Sequence, residues 1–248
     1  MSLPRAYVVG DGKLQYIVFD KPDIVTNGVR TGGYEPELQE FSRHLIDGKE
    51  PGFVLDIGAN MGSYTIPLAK KFPQHTYLCF EPQRVIYYQL CGNIILNSLA
   101  NTAAYPLAVS DKAGVVSIGM PDYLKEPNIG AFSLDLEVRM NQYECNTLGN
   151  TERVEMITLD GLEIPNIRLI KIDVEGMELA VLRGATKTLS DNNFPPVIFE
   201  AWTWKTWYKE RRMELLDYMH SLGYNIHTYG ENNVAQHLDY GPIKKWTY

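Results

Sequence analysis

The sequence predicts an α/β fold, a mostly parallel seven-stranded sheet with helices on both faces, and three observations carry that prediction. Short apolar runs alternate with segments of helical spacing along most of the chain. Several of those runs close on an acidic residue followed by a turn, which puts carboxylates at the strand ends where open α/β sheets bind ligands. The 248 residues are 45% hydrophobic and no linker or low-complexity stretch divides them, so a single domain over 1–248 with a large core is expected.

The elements follow in order. Ala6 to Val9 and Leu14 to Phe19 flank Asp11-Gly12, a hairpin signal, and Glu37 to Ile46 carries Leu38, Phe41, Leu45 and Ile46 at helical spacing. Residues 1–50 therefore read as an N-terminal hairpin and covering helix. Residues 51–118, the expected cofactor-binding half, hold strand 53 to 57, helix 62 to 71, strand 76 to 81, helix 83 to 97 and strand 103 to 107. Residues 119–150 are rich in Pro, Asn and Gly and are expected to form an irregular lid or insertion. Residues 151–248, the substrate-side half, supply strand 168 to 173, helix 177 to 190 and strand 197 to 200. A late helix from Lys205 to Leu222 ends at Gly223, and a closing hairpin joins Tyr224 to Tyr229 with Val234 to Leu238.

The most informative segment is Val54-Leu55-Asp56-Ile57-Gly58-Ala59-Asn60-Met61-Gly62, followed by a second strand closing on Phe80-Glu81-Pro82. Gly58 and Gly62 permit a tight turn between strand and helix, and the free N–H groups of the helix that follows face a pocket. A pyrophosphate would suit such donors, but Asn60 replaces the second glycine of the dinucleotide fingerprint and the third is missing. A carboxylate at Asp56 repels a pyrophosphate and suits the cationic methionyl end of S-adenosylmethionine, directly or through water. Glu81, 25 residues on, ends the neighbouring strand where a carboxylate accepts hydrogen bonds from both ribose hydroxyls. Asp56, Gly58, Ala59, Asn60, Gly62, Glu81 and Pro82 thus form the candidate cofactor set. The bland alternative makes Asp56 and Glu81 helix-capping acids.

Composition narrows the partners. The formal charge of −7, with no long basic run, argues against duplex nucleic acid or an anionic membrane and leaves a small-molecule or glycan acceptor. Cys79, Cys91 and Cys145 are too few and scattered for a disulfide framework or a zinc knuckle and read as reduced thiols. The N-terminus lacks the apolar stretch of a signal peptide and no run approaches membrane-spanning length, so a cytoplasmic protein is expected.

A second constellation is Leu169-Ile170-Lys171-Ile172-Asp173-Val174-Glu175-Gly176-Met177-Glu178, with Pro196-Val197-Ile198-Phe199-Glu200 behind it. As adjacent central strands, these bring Asp173, Glu175 and Glu200 to the ligand edge, and they are the candidate catalytic residues. Glu178 reads as an ordinary first-turn acid.

Together with Ile157-Thr158-Leu159-Asp160, Leu182-Arg183-Gly184-Ala185 and Asn128-Ile129-Gly130-Ala131-Phe132-Ser133, these segments resemble the FkbM family of S-adenosylmethionine-dependent methyltransferases over about residues 34 to 200. The resemblance implies a class I methyltransferase (Rossmann-like) sheet, S-adenosylmethionine as cofactor, and methylation of a hydroxyl, often on a sugar or secondary metabolite. It also marks a departure, since Met177 stands where many members carry histidine.

Such a reaction needs alignment of a hydroxyl and a base for its proton, a role open to Asp173 or Glu200. The carboxylates could alternatively hold Mg²⁺, which the sequence allows without requiring, so no residue is assigned as a metal ligand. A nucleic-acid methyltransferase, an idle cofactor-binding module and an NAD-type Rossmann oxidoreductase are the competing functions. His44, His227 and His237 read as boundary residues. Trp202, Trp204, Trp207 and Tyr208 either stack on a sugar or pack the late helix, and Tyr34 and Glu35 either close over the cofactor or start the covering helix.

Overall fold

The computed structural model describes residues 3–20, 24–31, 33–124, 129–130, 132–142 and 147–246, with the backbone alone at 142 and 147–150. The N-terminal hairpin pairs β1 (Ala6–Gly10) with β2 (Gln15–Phe19) around Asp11, whose Oδ1 accepts the N–H groups of Lys13 and Leu14. A helix the periodicity did not predict, α1 (Ile24–Arg30), follows, and the covering helix α2 (Pro36–Ile46) buries Leu38, Phe41, Leu45 and Ile46.

The alternating core runs β3 (Phe53–Ile57), α3 (Thr65–Lys71), β4 (Thr76–Phe80), α4 (Arg84–Leu96) and β5 (Thr102–Tyr105). After an interruption come β6 (Leu107–Val109), β7 (Gly114–Pro121), α5 (Leu136–Gln142) and β8 (Thr147–Ile157). The core resumes with β9 (Ile167–Ile172), α6 (Glu178–Arg183), α7 (Thr186–Asp191) and β10 (Val197–Glu200), and closes with α8 (Lys209–Ser221), β11 (Asn225–Tyr229) and β12 (Asn232–Gln236).

Seven strands form one sheet in the order β11-β12-β10-β9-β3-β4-β5. The five from β10 to β5 are parallel, and of the closing hairpin only β12 runs antiparallel to them while β11 returns in their direction, so the sheet is mostly parallel, as the sequence predicts. Side chains alternate across this sheet. Val54, Leu169, Ile198 and Val234 pack with α2, α3 and α4 on one face, whereas Leu55, Ile57, Ile170, Ile172, Val197 and Phe199 pack with α6, α7 and α8 on the other. Both faces are covered, which is why the central strands read as near-continuous apolar runs.

Three boundaries differ from expectation. The stretch 119–150 is less irregular than its composition suggests: β7 runs on to Pro121, α5 occupies 136–142, and β8 begins at Thr147, with β6 parallel and β7 antiparallel to β8 in a separate three-stranded sheet. The helix expected over 177–190 breaks in two at Gly184, where a Cβ would lie 2.0 Å from the Ser110 carbonyl oxygen. Asp160 then receives the Lys187 and Thr188 N–H groups at the start of α7. The late helix begins at Lys209 because a 3-10 turn, Thr206–Tyr208, precedes it. No helix among the described residues is long and apolar enough to cross a membrane.

Candidate active site

A cleft opens at the carboxyl ends of β3, β4 and β9, enclosing about 920 Å³ of empty space continuous with solvent. Its floor is the turn Gly58, Ala59 and Asn60, and its walls include Glu81, Pro82, Asp173, Glu175, Met177, Tyr34, Glu35, Phe132 and Leu134. Gly58 takes φ +81° and Asn60 φ +48°. The Gly58 and Ala59 N–H groups bond to the Phe80 carbonyl at 2.9 and 3.1 Å, which locks the turn onto the end of β4. Gly58 is also where the turn meets the β9 loop, since a Cβ there would sit 1.8 Å from the Asp173 carbonyl oxygen. Glycine fits both the left-handed backbone and the close approach.

Glu81 is 5% exposed, and its carboxylate accepts the Asn60 N–H at 3.0 Å on one oxygen and the Gln83 N–H at 2.9 Å on the other. Burial pushes its pKa up to about 7, against the opposing pull of those two backbone donors. A carboxylate has about four lone-pair sites, so two remain for a diol in the cleft.

Two candidate cofactor residues stand elsewhere. Asp56 does not line the cleft: strand alternation aims it, like Val54, at the face covered by α3. There it is fully buried, with Oδ2 accepting the Thr65 hydroxyl at 2.6 Å and Oδ1 lying 3.5 Å from the Lys171 ammonium. Its carboxyl is pushed above the usual range by burial, offset in part by Lys171 and Thr65. Gly62 also lies outside the lining; its missing side chain admits Ile66 and Leu90, each within 3.0 Å of where a Cβ would be.

On the other side of the cleft, Asp173 and Glu175 line the wall and Glu200 does not. Glu200 lies behind them, accepting the Trp202 indole N–H at 2.9 Å. Burial first, then the nearby Asp173, Glu175, Glu178 and Glu231, raise its pKa well above the carboxylate range. Met177, at the position where the family resemblance expects histidine, lines the cleft.

Glu178 is more than a first-turn acid. It is 1% exposed, its Oε1 accepts the Val174 and Gly176 N–H groups at 3.2 and 3.1 Å, and its Oε2 accepts the Tyr208 hydroxyl at 3.1 Å. It thereby holds the 173–176 loop, where Glu175 has φ +55°. Burial pushes its pKa up to about 7.

The aromatic segment packs against α5. Trp202 and Tyr208 are buried against Val138 of α5, with ring centroids 4.8 Å apart, while Trp204 is exposed. Arg211 of α8 pairs with Asp135 at 2.8 Å and Glu137 at 2.6 Å, fastening the segment that carries Phe132 and Leu134 into the cleft. Of the loop signature at 128–133, Asn128 and Ala131 lie outside the described residues, as does Cys145; Gly130 and Phe132 line the cleft, and Cys79 and Cys91 are free thiols. Glu35 both starts α2, at φ +49°, and lines the cleft, where burial pushes its pKa up to about 7. The three histidines weighed as candidates are remote: His44 is half-exposed beside Glu40, His227 packs by Phe41 and Trp246, and His237 stacks on Phe194. Among the described residues, no three His, Cys, Asp or Glu side chains group as metal ligands.

Lys171 has no counterpart in the candidate set, yet it lines the cleft. It pairs in register with Asp56 across β3 and β9, and its ammonium lies 3.1 Å from Asp173 Oδ2. Burial would lower its pKa, but Asp173, Asp56 and Glu35 outweigh that and hold it raised. The available signal was a lysine inside the apolar run Leu169 to Ile172.

A model of the methyltransferase FkbM domain matches residues 56–226, from Asp56 through the cleft to β11. The chain belongs to the FkbM methyltransferase family. Among curated proteins, it is 29% identical over 150 residues to Methyltransferase 1 of Beauveria bassiana (54% of this chain, 59% of that one). It is 29% identical over 160 residues to the hexuronic acid methyltransferase AglP of Haloferax volcanii (63% of this chain, 59% of that one). The chain thus spans about three fifths of the length of these relatives. Among solved structures, precorrin-6y C5,15-methyltransferase of Geobacter metallireducens superposes with a TM-score of 0.48 at 11% identity, over 81% of this chain and 88% of that one. The seven-stranded, mostly parallel sheet is the class I methyltransferase architecture.

Proposed function

We propose that this chain transfers a methyl group from S-adenosylmethionine to a hydroxyl of a small-molecule or glycan acceptor, a sugar being the favoured class. The observation that carries the reading is the pairing, in one cleft, of a glycine turn and a buried Glu81 with Asp173 and Glu175 at the end of a neighbouring strand. The cleft suits the cofactor: Glu81 retains acceptor capacity for ribose hydroxyls, Gly58 presents no side chain against it, and carboxylates surround the place a sulfonium would occupy. Asp56 then supports the turn from beneath, through Thr65 and Lys171, instead of touching the cofactor.

When bound, the cofactor supplies a methyl group already activated by its sulfonium. The chain's part is to hold the acceptor hydroxyl in line and to receive its proton as the carbon–oxygen bond forms. Asp173 is the foremost candidate for that proton, with Glu175 beside it; Glu200, outside the lining, serves by accepting the Trp202 indole N–H. Sugar acceptors are favoured by the resemblance of the motifs and by the relative named as a hexuronic acid methyltransferase. The charge of −7 disfavours nucleic acid.

The test is transfer of labelled methyl from S-adenosylmethionine to a panel of glycosides, uronates, polyols and phenols, with S-adenosylhomocysteine and NAD binding measured alongside. Label in an ether product is expected. Tight S-adenosylhomocysteine binding without label in any acceptor would favour the idle module, and NAD binding in its place would favour an oxidoreductase.

A further inference from the structure

Lys171 sits in β9, Ile167–Ile172, within the fully buried run that follows the half-buried Arg168, where a buried cation is costly unless closely paired. Its side chain is 6% exposed, and its ammonium has three oxygen neighbours: Asp173 Oδ2 at 3.1 Å, the Gly58 carbonyl at 3.3 Å and Asp56 Oδ1 at 3.5 Å. The Tyr64 ring lies beneath at 5.6 Å. These neighbours belong to three layers of the site. Asp173 lines the cleft, Gly58 is its floor, and Asp56 is sealed below the floor.

We propose that Lys171 is a positioning residue, which fixes the Asp173 carboxylate toward the acceptor and ties it to the cofactor turn. The ammonium is anchored from behind by Asp56 and Gly58, so it cannot follow a rotating carboxylate; Asp173 must come to it. One Asp173 oxygen is committed to that bond, which leaves the other to meet a hydroxyl in the cleft. The loop bearing Asp173 gains from such an anchor, because it continues through two residues at positive φ, Glu175 and Gly176. A group that only balanced the charge of Asp56 could have stood anywhere on the buried face. Lys171 instead reaches the boundary between the buried pair and the cleft, and touches both strands that form it.

This inference rests on the methyl-transfer reading and is tested by a double-mutant cycle in the full chain, comparing native, Lys171→Met, Asp173→Asn and both together. Lys171→Met is expected to lower kcat about 30-fold with KM for S-adenosylmethionine within about threefold, and Lys171→Arg to restore most of the loss. Because Lys171 acts through Asp173, the double variant should transfer methyl within about twofold of Asp173→Asn alone. S-adenosylhomocysteine affinity reports folding, and Lys171→Gln gives the same cycle if Lys171→Met fails to fold. Losses that multiply, with native turnover intact, overturn this inference and leave the function standing. A native chain that binds S-adenosylhomocysteine yet methylates nothing overturns the function and this inference with it.

Discussion

On the proposed donor side of the cleft, one continuous run, residues 53–82, supplies a strand, a turn, a helix and a second strand, and Glu81 is held there by two backbone N–H groups. The proposed acceptor side draws instead on three distant segments: 132–141, the 173–178 loop, and 200–211, joined by side-chain contacts such as Glu178–Tyr208 and Arg211–Asp135. The donor side is therefore local and backbone-built, fit for one unchanging ligand. The proposed acceptor side is assembled by tertiary packing, where substitutions should alter specificity without disturbing the turn.

Breaking the point where the two sides touch should have the largest effect. Gly58→Ala puts a Cβ into the Asp173 carbonyl at a positive φ, so we expect destabilisation of about 3 kcal/mol or more, read by denaturant unfolding, with loss of both ligands. Asp173→Asn separates the sides: kcat should fall about 100-fold in a labelled-methyl assay with the fold retained.

A pH scan sharpens the comparison, since buried acids lie on both sides. Glu81 on the donor side, Glu178 on the acceptor side and Glu35 above them all have folded pKa values near 7, raised by burial above the ordinary value of 4.5. Folding thus favours their protonated forms: that stability is fully present below about pH 4.5 and is lost as pH rises through about 7. The ligand-free chain should melt about 5 °C higher at pH 5.5 than at pH 8, and Glu35→Gln should flatten that slope. The smallest effect is expected from Arg211→Ala, which frees the segment behind Phe132. Its ion pairs are partly exposed, so stability should drop by only about 1 kcal/mol while KM for the acceptor rises about threefold.

The same contrast explains what was legible in the sequence. The seven strands of the main sheet and the Gly58–Asn60 turn could be read from apolar runs and glycines, because local geometry dictates both. Asp56 was legible as a strand-end carboxylate, but its direction depends on parity: two residues from Val54, it faces α3 and Thr65. Lys171 escaped notice because its meaning lies in its register with Asp56, a contact made only when two distant strands pair. Strands β6 to β8 were hidden for a related reason, since β8 pairs with segments more than 25 residues earlier in the chain. Trp202 and Tyr208 carry no local sign of which surface they bury; Val138 decides it.

The central claim, a donor site built around Glu81 beside an acceptor site built around Asp173, is tested most directly by calorimetric titration of S-adenosylhomocysteine into Glu81→Ala and Asp173→Asn side by side. Glu81→Ala strips the buried Gln83 N–H and the part-buried Asn60 N–H of their acceptor and should weaken binding about tenfold or more, while Asp173→Asn should stay within about threefold of native. Equal affinities in the two variants, or a loss confined to Asp173→Asn, would contradict that division of the cleft.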